Sequence, residues 1–218
     1  TPEREVLDDA LAAIQLVRKH NLVDPNQVYV LGHSLGGYLA PMLAEKDPKL
    51  AGMILMAANS RPLLTLMQEQ MQYLSKLDGV EEDREKAAID DIRKGIESIR
   101  AGKPEGTILG APTAYWAGYE KLDPIAAALR TTTPMLLLQG ERDYQVRMED
   151  LELWKMRLNQ RANVEYRTYK RLNHLFMTGP GKGLSNPQEY TQAGHVQAEV
   201  VSDIADWILA RSPQKPGD

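Results

Sequence analysis

The stretch Val-Tyr-Val-Leu-Gly-His-Ser-Leu-Gly-Gly, residues 28–37, decides the fold of this chain. Its first four residues, Val28–Leu31, form an apolar run that predicts a short buried strand. The Gly-rich turn that follows leads into a predicted helix at Tyr38–Glu45. A serine on such a sharp strand-to-helix turn has its hydroxyl pushed out of the sheet, an arrangement called a nucleophile elbow. We therefore predict that Ser34 is a nucleophile.

The bare pattern Gly-x-Ser-x-Gly, formed here by Gly32, His33, Ser34, Leu35 and Gly36, is not specific. From average composition it occurs in roughly one chain in fifteen of this length. The context makes it informative, because an apolar strand precedes it and a helix rich in small residues follows it. We expect both glycines to be required because side chains there would collide with the adjacent helix and strand. The alternative is a structural glycine-rich turn without a catalytic role.

Further apolar runs predict three more strands, at Leu50–Ala58, Met135–Leu138 and Val164–Tyr169. Between and around them, apolar residues with helical spacing predict helices. The helix-face residues are Val6, Ala10, Ile14 and Val17 in the first helix, Leu151, Trp154 and Leu158 in a middle helix, and Val200, Ile204 and Ile208 in the last. Strands that alternate with helices are typical of an α/β fold. We predict a mostly parallel sheet covered by helices on both faces.

Residues 61–120 interrupt this alternation, since they lie between two predicted strands but are far longer than an ordinary connection. A Met- and Leu-rich first part, a mixed-charge middle part and an aromatic cluster at 114–119 predict a helical cap over one end of the sheet. We therefore divide the chain into a core at 1–60 and 121–211, this cap at 61–120, and a disordered tail at 212–218.

A nucleophile elbow requires an acid and then a histidine later in the chain. Asp143 follows the predicted strand Met135–Leu138, at the sheet edge where parallel α/β folds collect their active sites. His174 follows the next strand and is placed to accept the proton from Ser34. The alternatives are that Asp143 only caps the following helix, with Glu141 as the nearest other acid, and that His174 is structural or merely exposed.

Composition argues against several other functions. The chain has no cysteine and only four widely spaced histidines, which leaves no thiolate chemistry and little room for a zinc site. Its formal net charge is −4, from 26 basic and 30 acidic residues, which does not favour binding to nucleic acid or anionic membranes. No apolar run approaches the roughly 18 residues of a membrane span. We expect no metal and no organic cofactor.

Three motifs together resemble the α/β-hydrolase superfamily: Gly-His-Ser-Leu-Gly-Gly at 32–37, Leu-Gln-Gly-Glu-Arg-Asp at 138–143, and Asn-His-Leu-Phe at 173–176. Within that superfamily the chain is similar to bacterial carboxylesterases that carry a helical cap, over essentially its whole length. The resemblance implies the α/β-hydrolase fold and a Ser-His-Asp triad. It also implies that the backbone N–H of Leu35 donates to the oxyanion.

Members of this superfamily have further strands before the first helix seen here, so the resemblance implies an N-terminally truncated fold. A loop in that region supplies the second oxyanion N–H in the superfamily, and loss of one such donor costs about 10²–10³ in rate. The strand Val28–Leu31 is then an apolar edge, and such an edge tends to find another chain. We expect it to pair with a missing N-terminal segment or with a second copy.

The apolar and aromatic residues of the predicted cap form either a substrate pocket or only the cap's own small core. These residues are Met67, Met71, Tyr115, Trp116 and Tyr119. The sequence as a whole predicts a serine carboxylesterase that works through an acyl-enzyme. Two alternatives remain: the same triad acts on peptide, thioester or lactone bonds, or the chain is catalytically incomplete and serves as a structural or binding module.

Overall fold

A computed structural model describes residues 1–77 and 83–212; residues 78–82, and 213–218 of the tail predicted at 212–218, lie outside the described residues. The strands are β1 (Tyr29–His33), β2 (Gly52–Met56), β3 (Thr107–Ile108), β4 (Ala111–Pro112), β5 (Met135–Gly140) and β6 (Val164–Tyr169). The α-helices are α1 (Asp8–Arg18), α2 (Leu35–Lys46), α3 (Leu63–Leu74), α4 (Asp83–Arg100), α5 (Thr113–Glu120), α6 (Pro124–Leu129), α7 (Met148–Arg157) and α8 (Ala198–Leu209). A π-helical turn at Glu3–Leu7 precedes α1, and a 3₁₀ helix spans Pro187–Thr191. None of the described helices combines the length and apolar character that a membrane crossing requires.

Four strands form one parallel sheet in the order β1-β2-β5-β6. His33 of β1 pairs with Met56 of β2, which pairs with Leu138 of β5. Gly140 of β5 pairs with Tyr169 of β6. The carboxyl ends of all four strands therefore lie at one edge of the sheet. The predicted α/β class is confirmed; β2 is shorter at both ends than the sequence predicts, and β5 continues two residues further.

Helices cover both faces of this sheet. Successive residues of a strand point to opposite faces, so each strand contributes side chains to a core on either side. Met53 and Leu55 of β2 belong to one core cluster, whereas Ile54 belongs to the other. The helical members include Ile14 of α1 with Leu151 and Trp154 of α7 in the first cluster, and Val200 and Trp207 of α8 in the second. Val17, predicted on the buried face of α1, is instead 46% exposed, so that face ends one turn earlier.

The long connection between β2 and β5 includes α3, α4, the β3–β4 hairpin and α5 before it reaches α6. We call residues 61–77 and 83–120 of this connection the helical insertion. Four of its buried residues form a cluster of their own: Leu64, Ile92, Ile96 and Ile108. Gly95 lets the hairpin approach α4 closely, since an added Cβ there would collide with the Ile108 side chain. The insertion thus has a small core that is separate from those of the sheet.

The strand β1 lies at one edge of the sheet. It pairs with β2 on one side, and no strand among residues 1–77 and 83–212 pairs with its other side. Leu31, in the middle of β1, is 50% exposed. An apolar strand with unpaired backbone groups along one side is a template for pairing with further chain.

Candidate active site

Ser34 lies between β1 and α2, at the carboxyl edge of the sheet. Its backbone has φ 55° and ψ −118°, which non-glycine residues seldom adopt. Its N–H donates to the Met56 carbonyl at 2.8 Å, and its carbonyl accepts from the Tyr38 N–H at 3.0 Å. The first bond fixes the turn to β2 and the second begins α2. Hydrogen bonds on both sides of the residue thus hold the strained backbone that an elbow requires.

The glycines around Ser34 differ in how much they are needed. A Cβ at Gly32 would collide with the backbone carbonyl of Gly36, and a Cβ at Gly37 would lie 2.7 Å from the Ala58 Cβ. A Cβ at Gly36 would meet nothing within 4 Å. The expectation that both flanking glycines are sterically required is therefore wrong for Gly36. Gly36 faces open space, and its carbonyl is what crowds Gly32.

Asp143 follows β5 and is almost fully buried. Its Oδ1 accepts from the backbone N–H of Gln145 at 2.8 Å and of Val146 at 3.0 Å. Its Oδ2 accepts from Gln139 Nε2 at 3.3 Å. The helix α7 begins later, at Met148, so Asp143 does not act as its N-cap. The turn that these bonds form fixes the carboxylate, because the N–H groups of the loop close directly onto it.

His174 lies in the loop after β6 and donates from Nδ1 to Asp143 Oδ2 at 2.7 Å. The carboxylate can only accept, so the proton is on Nδ1, and Nε2 of the neutral ring carries a free lone pair. The preceding residue holds the loop, since Asn173 Oδ1 accepts from the backbone N–H groups of Leu175 and Met177. A Cβ at Gly140 would collide with the Leu172 carbonyl, so this glycine lets the histidine loop approach the end of β5.

The structure brings Ser34, Asp143 and His174 to one edge of the sheet. Among the described residues, no hydrogen bond joins the Ser34 hydroxyl to His174; such bonds are often long before a substrate is bound. The contact between the two loops runs through His33, whose ring centroid lies 4.7 Å from that of His174. Glu141, the other candidate acid, has no bond to the imidazole.

Leu35 directly follows Ser34 and is the first residue of α2, so its backbone N–H lies at the N-terminus of this helix. The first N–H groups of a helix have no acceptor within the helix and carry partial positive charge. This N–H is therefore suited to hold a negative oxygen beside the serine.

A cavity of about 260 Å³ opens beside Ser34 under the helical insertion. Its lining contains Ser34, Leu35, Asn59, Leu63, Leu66, Met67, Gln70, Tyr115, Trp116, Tyr119 and Gln145. Four of the five predicted pocket residues are in this lining. Met71 is not, and it packs instead against the buried cluster that includes Ile92 of α4.

Sequence analysis missed three polar members of the cavity, Asn59, Gln70 and Gln145. Asn59 follows β2 and Gln145 follows Asp143 by two residues, so the rule that strand ends gather at one edge was a signal for both. Gln70 gave no signal, because it sits in a helix whose docking the sequence does not reveal. Its Nε2 donates to the Gln145 carbonyl at 2.9 Å. Of the residues that the structure describes, no Asp, Glu, Lys or Arg contributes to the cavity lining.

Three tyrosine rings join the helical insertion to the loops of the acid and the histidine. Tyr73 of α3 stacks on Tyr144 with centroids 5.2 Å apart, and Tyr144 stacks on Tyr190 at 6.0 Å. The Tyr73 hydroxyl donates to the Ser185 carbonyl at 2.9 Å. Burial raises the pKa of Tyr144 to about 12 and also raises the pKa of Tyr190, so both rings stay uncharged at neutral pH.

A parallel sheet with a strained serine elbow at the end of β1, and an Asp–His pair in the loops after β5 and β6, is typical of the α/β-hydrolase fold. The family model described as "Serine aminopeptidase, S33" matches residues 2–180, and the chain belongs to that family. It is also 40% identical over 211 residues to "Esterase EstD" of Thermotoga maritima. That match covers 96% of this chain and 48% of the relative, so the chain spans about half the length of the curated relative.

Solved structures agree on the fold. Est1E from Butyrivibrio proteoclasticus superimposes with a TM-score of 0.58 at 16% identity, covering 94% of this chain and 69% of that one. The Pyrococcus furiosus esterase Pf2001 superimposes with a TM-score of 0.56 at 14% identity, covering 93% and 60%. At these identities the likeness shows the α/β-hydrolase fold alone.

Proposed function

We propose that this protein is a serine carboxylesterase that hydrolyses uncharged carboxylic esters through an acyl-enzyme on Ser34. The observation that carries the proposal is the hydrogen-bonded pair Asp143–His174 at the sheet edge where an elbow serine lines a cavity. The 40% identity to an esterase over 96% of the chain supports an ester as the substrate.

In the proposed first half-reaction, Ser34 Oγ attacks the ester carbonyl carbon while His174 Nε2 takes the hydroxyl proton. Asp143 stabilises the imidazolium that forms and keeps the ring in its tautomer. The backbone N–H of Leu35 donates to the developing oxyanion. As the bond to the leaving oxygen breaks, His174 gives its proton to the alcohol.

In the second half-reaction, water replaces the alcohol beside the acyl group. His174 Nε2 takes one proton from the water, and the water oxygen attacks the acyl carbon. Collapse of the second tetrahedral intermediate returns that proton to Ser34 Oγ and releases the carboxylic acid. The cycle needs no group beyond the triad, the oxyanion donors and water.

The cavity favours esters over the substrates of an aminopeptidase, the activity in the family description. An aminopeptidase must bind a free α-ammonium group, and burying that charge without an acidic partner is costly. Among the described residues, the lining of the Ser34 cavity holds three side-chain amides, the hydroxyls of Ser34, Tyr115 and Tyr119, apolar side chains and the Trp116 ring, without a carboxylate. Glu69, on the same helix as Gln70, is already paired with Arg61 at 2.7 Å.

We also propose that the helical insertion acts as the cap of this site. Met67 of α3 and Tyr115, Trp116 and Tyr119 of α5 supply the apolar part of the cavity lining. An acyl group placed there would contact these side chains while its carbonyl reached Ser34. The insertion would then select substrates by size and exclude water from the reacting carbon.

The first test is intact mass spectrometry after incubation with a fluorophosphonate, run beside Ser34→Ala. We expect one adduct on the parent protein and none on the variant, with unchanged circular dichroism. Labelling of Ser34→Ala would refute the nucleophile. Absence of labelling on the folded parent would instead support the alternative of a structural or binding module.

The second test compares p-nitrophenyl butyrate with alanine p-nitroanilide. We expect turnover of the ester and no turnover of the anilide, because the cavity offers no carboxylate to the α-ammonium group. Preferred hydrolysis of the anilide would overturn the ester proposal while leaving the triad in place. Each rate is measured against Ser34→Ala to subtract background hydrolysis.

A further inference from the structure

His33, the residue before the nucleophile, contacts the histidine of the proposed triad in two ways. Its Nε2 lies 2.8 Å from the backbone carbonyl oxygen of His174. Its ring also packs on the His174 ring, with centroids 4.7 Å apart, and on Phe176 at 6.3 Å. A carbonyl oxygen only accepts, so His33 Nε2 carries a proton and donates it.

Among the described residues, His33 is the only hydrogen-bond donor to the His174 carbonyl. Asp143 holds the other end of the same residue, through Nδ1 of its ring. The ring of His174 is thus held by the acid loop through Nδ1, and its backbone carbonyl is held by His33 at the end of β1. Two such attachments leave Nε2 of His174 little freedom to drift from Ser34.

We infer that His33 is a positioning residue, which ties the base His174 to the nucleophile strand β1 and so sets the approach of Nε2 to Ser34. The inference rests on the proposed function. It gives a role to a position of the elbow motif whose side chain the motif itself leaves undefined. The pKa of His33 is lowered, chiefly by partial desolvation of the ring where it packs on His174, which favours the uncharged donor form.

Two variants separate the hydrogen bond from the ring contact. His33→Phe keeps a planar ring against His174 and Phe176 but removes the N–H donor. His33→Gln removes the ring but retains an N–H donor at about the reach of Nε2. His20→Phe is the matched control, because His20 is an exposed histidine at the end of α1 whose Nδ1 accepts only from the Leu22 N–H.

The measurements are kcat and KM for p-nitrophenyl butyrate and the rate of fluorophosphonate labelling. For His33→Phe we expect kcat and the labelling rate to fall about three- to ten-fold, the usual worth of one uncharged hydrogen bond, with KM unchanged. For His33→Gln we expect both values within about two-fold of the parent, and for His20→Phe no change.

Parent-like kcat and labelling in His33→Phe would overturn the inference and leave the proposed function intact. An equal loss in His33→Gln and His33→Phe would also overturn it, since an N–H donor at this position would then not be enough to position His174. If His33→Phe does not fold by circular dichroism, His33→Ala serves as the donor-free variant. A parent protein that is never labelled would overturn the proposed function and this inference together.

Discussion

At the scale of single residues, the elbow depends on one steric contact more than on the number of glycines. Gly32 faces the Gly36 carbonyl so closely that no Cβ fits, and the partner is backbone that cannot move aside. Gly36 itself faces open space. The sequence pattern treats the two positions alike, and only their surroundings in the fold distinguish them.

We predict that Gly32→Ala lowers the free energy of unfolding by about 1–3 kcal/mol or more, because overpacking against backbone forces the turn to shift. Gly36→Ala should leave stability unchanged or raise it, since alanine is the better residue within a helix. Urea denaturation of both variants measures this. Equal losses in the two would show that the turn is limited by something other than the Gly32–Gly36 contact.

Asp143 sets the tautomer of His174 through one hydrogen bond. In Asp143→Asn, the amide nitrogen can donate to Nδ1 and so favour the ring with its proton on Nε2, which cannot accept from Ser34. We predict a loss of about 10⁴ in kcat with little change in fold. Steady-state kinetics on an ester checks it, with Glu141→Gln as the matched control expected to keep parent activity. A larger loss of kcat in Glu141→Gln than in Asp143→Asn would instead identify Glu141 as the acid.

At the scale of elements, the helical insertion is held to the core by a buried carboxylate. Asp150 of α7 accepts from the backbone and hydroxyl of Ser60 and from the backbone and guanidinium of Arg61. The Arg61 guanidinium also donates to Glu69 of α3. This one arginine, in the loop after β2, is therefore bonded both to α7 and to α3 of the insertion. These bonds raise the pKa of the Arg61 guanidinium, so it is positively charged at neutral pH.

Removing that carboxylate leaves the backbone N–H groups of Ser60 and Arg61 without this acceptor, and it leaves the Arg61 guanidinium with Glu69 alone. We predict that Asp150→Ala lowers the free energy of unfolding by about 3–5 kcal/mol. The matched control is Asp90→Ala, whose exposed pair with Arg93 should contribute nothing measurable. Thermal unfolding followed by circular dichroism compares the two. A shift in Asp150→Ala no larger than in Asp90→Ala would contradict the role of this anchor.

Much of the element pattern was predictable from sequence, because it depends on local periodicity. The strand Val164–Tyr169 has the predicted bounds, and β1 lies within two residues of its predicted position. The face residues predicted for the last helix all lie in α8, and those of the middle helix lie in α7 except Leu158, which directly follows it. The docking of α3 was not predictable. It depends on Tyr73 and Gln70 meeting loops more than 70 residues later in the chain.

At the scale of the whole molecule, the free side of β1 is the feature most in need of a partner. We propose that it pairs with a further strand, either from a segment of the protein outside this chain or from a second copy. Its unpaired backbone groups and the half-exposed Leu31 support this.

We predict that this chain self-associates on its own and that Leu31→Lys reduces the association, because a lysine on an edge strand opposes edge-to-edge pairing. Size-exclusion chromatography with light scattering measures both proteins over a range of concentrations. A parent chain that stays monomeric with native circular dichroism would remove the second copy as partner. Lys155→Glu, at a half-exposed position of α7, is a suitable charge-change control.

The sequence by itself determined the α/β class, the order Ser34, Asp143, His174, and the strand ends on which these residues lie. These follow from hydrophobic periodicity and from the rule that parallel strands share one carboxyl edge. The tertiary structure decided what surrounds the proposed triad: the cavity lining without charged side chains among the described residues, the exclusion of Met71 from it, and the hydrogen bond from His33 to the His174 carbonyl. Those contacts join residues that are distant in the chain, and only the packing of the fold sets the distances between them.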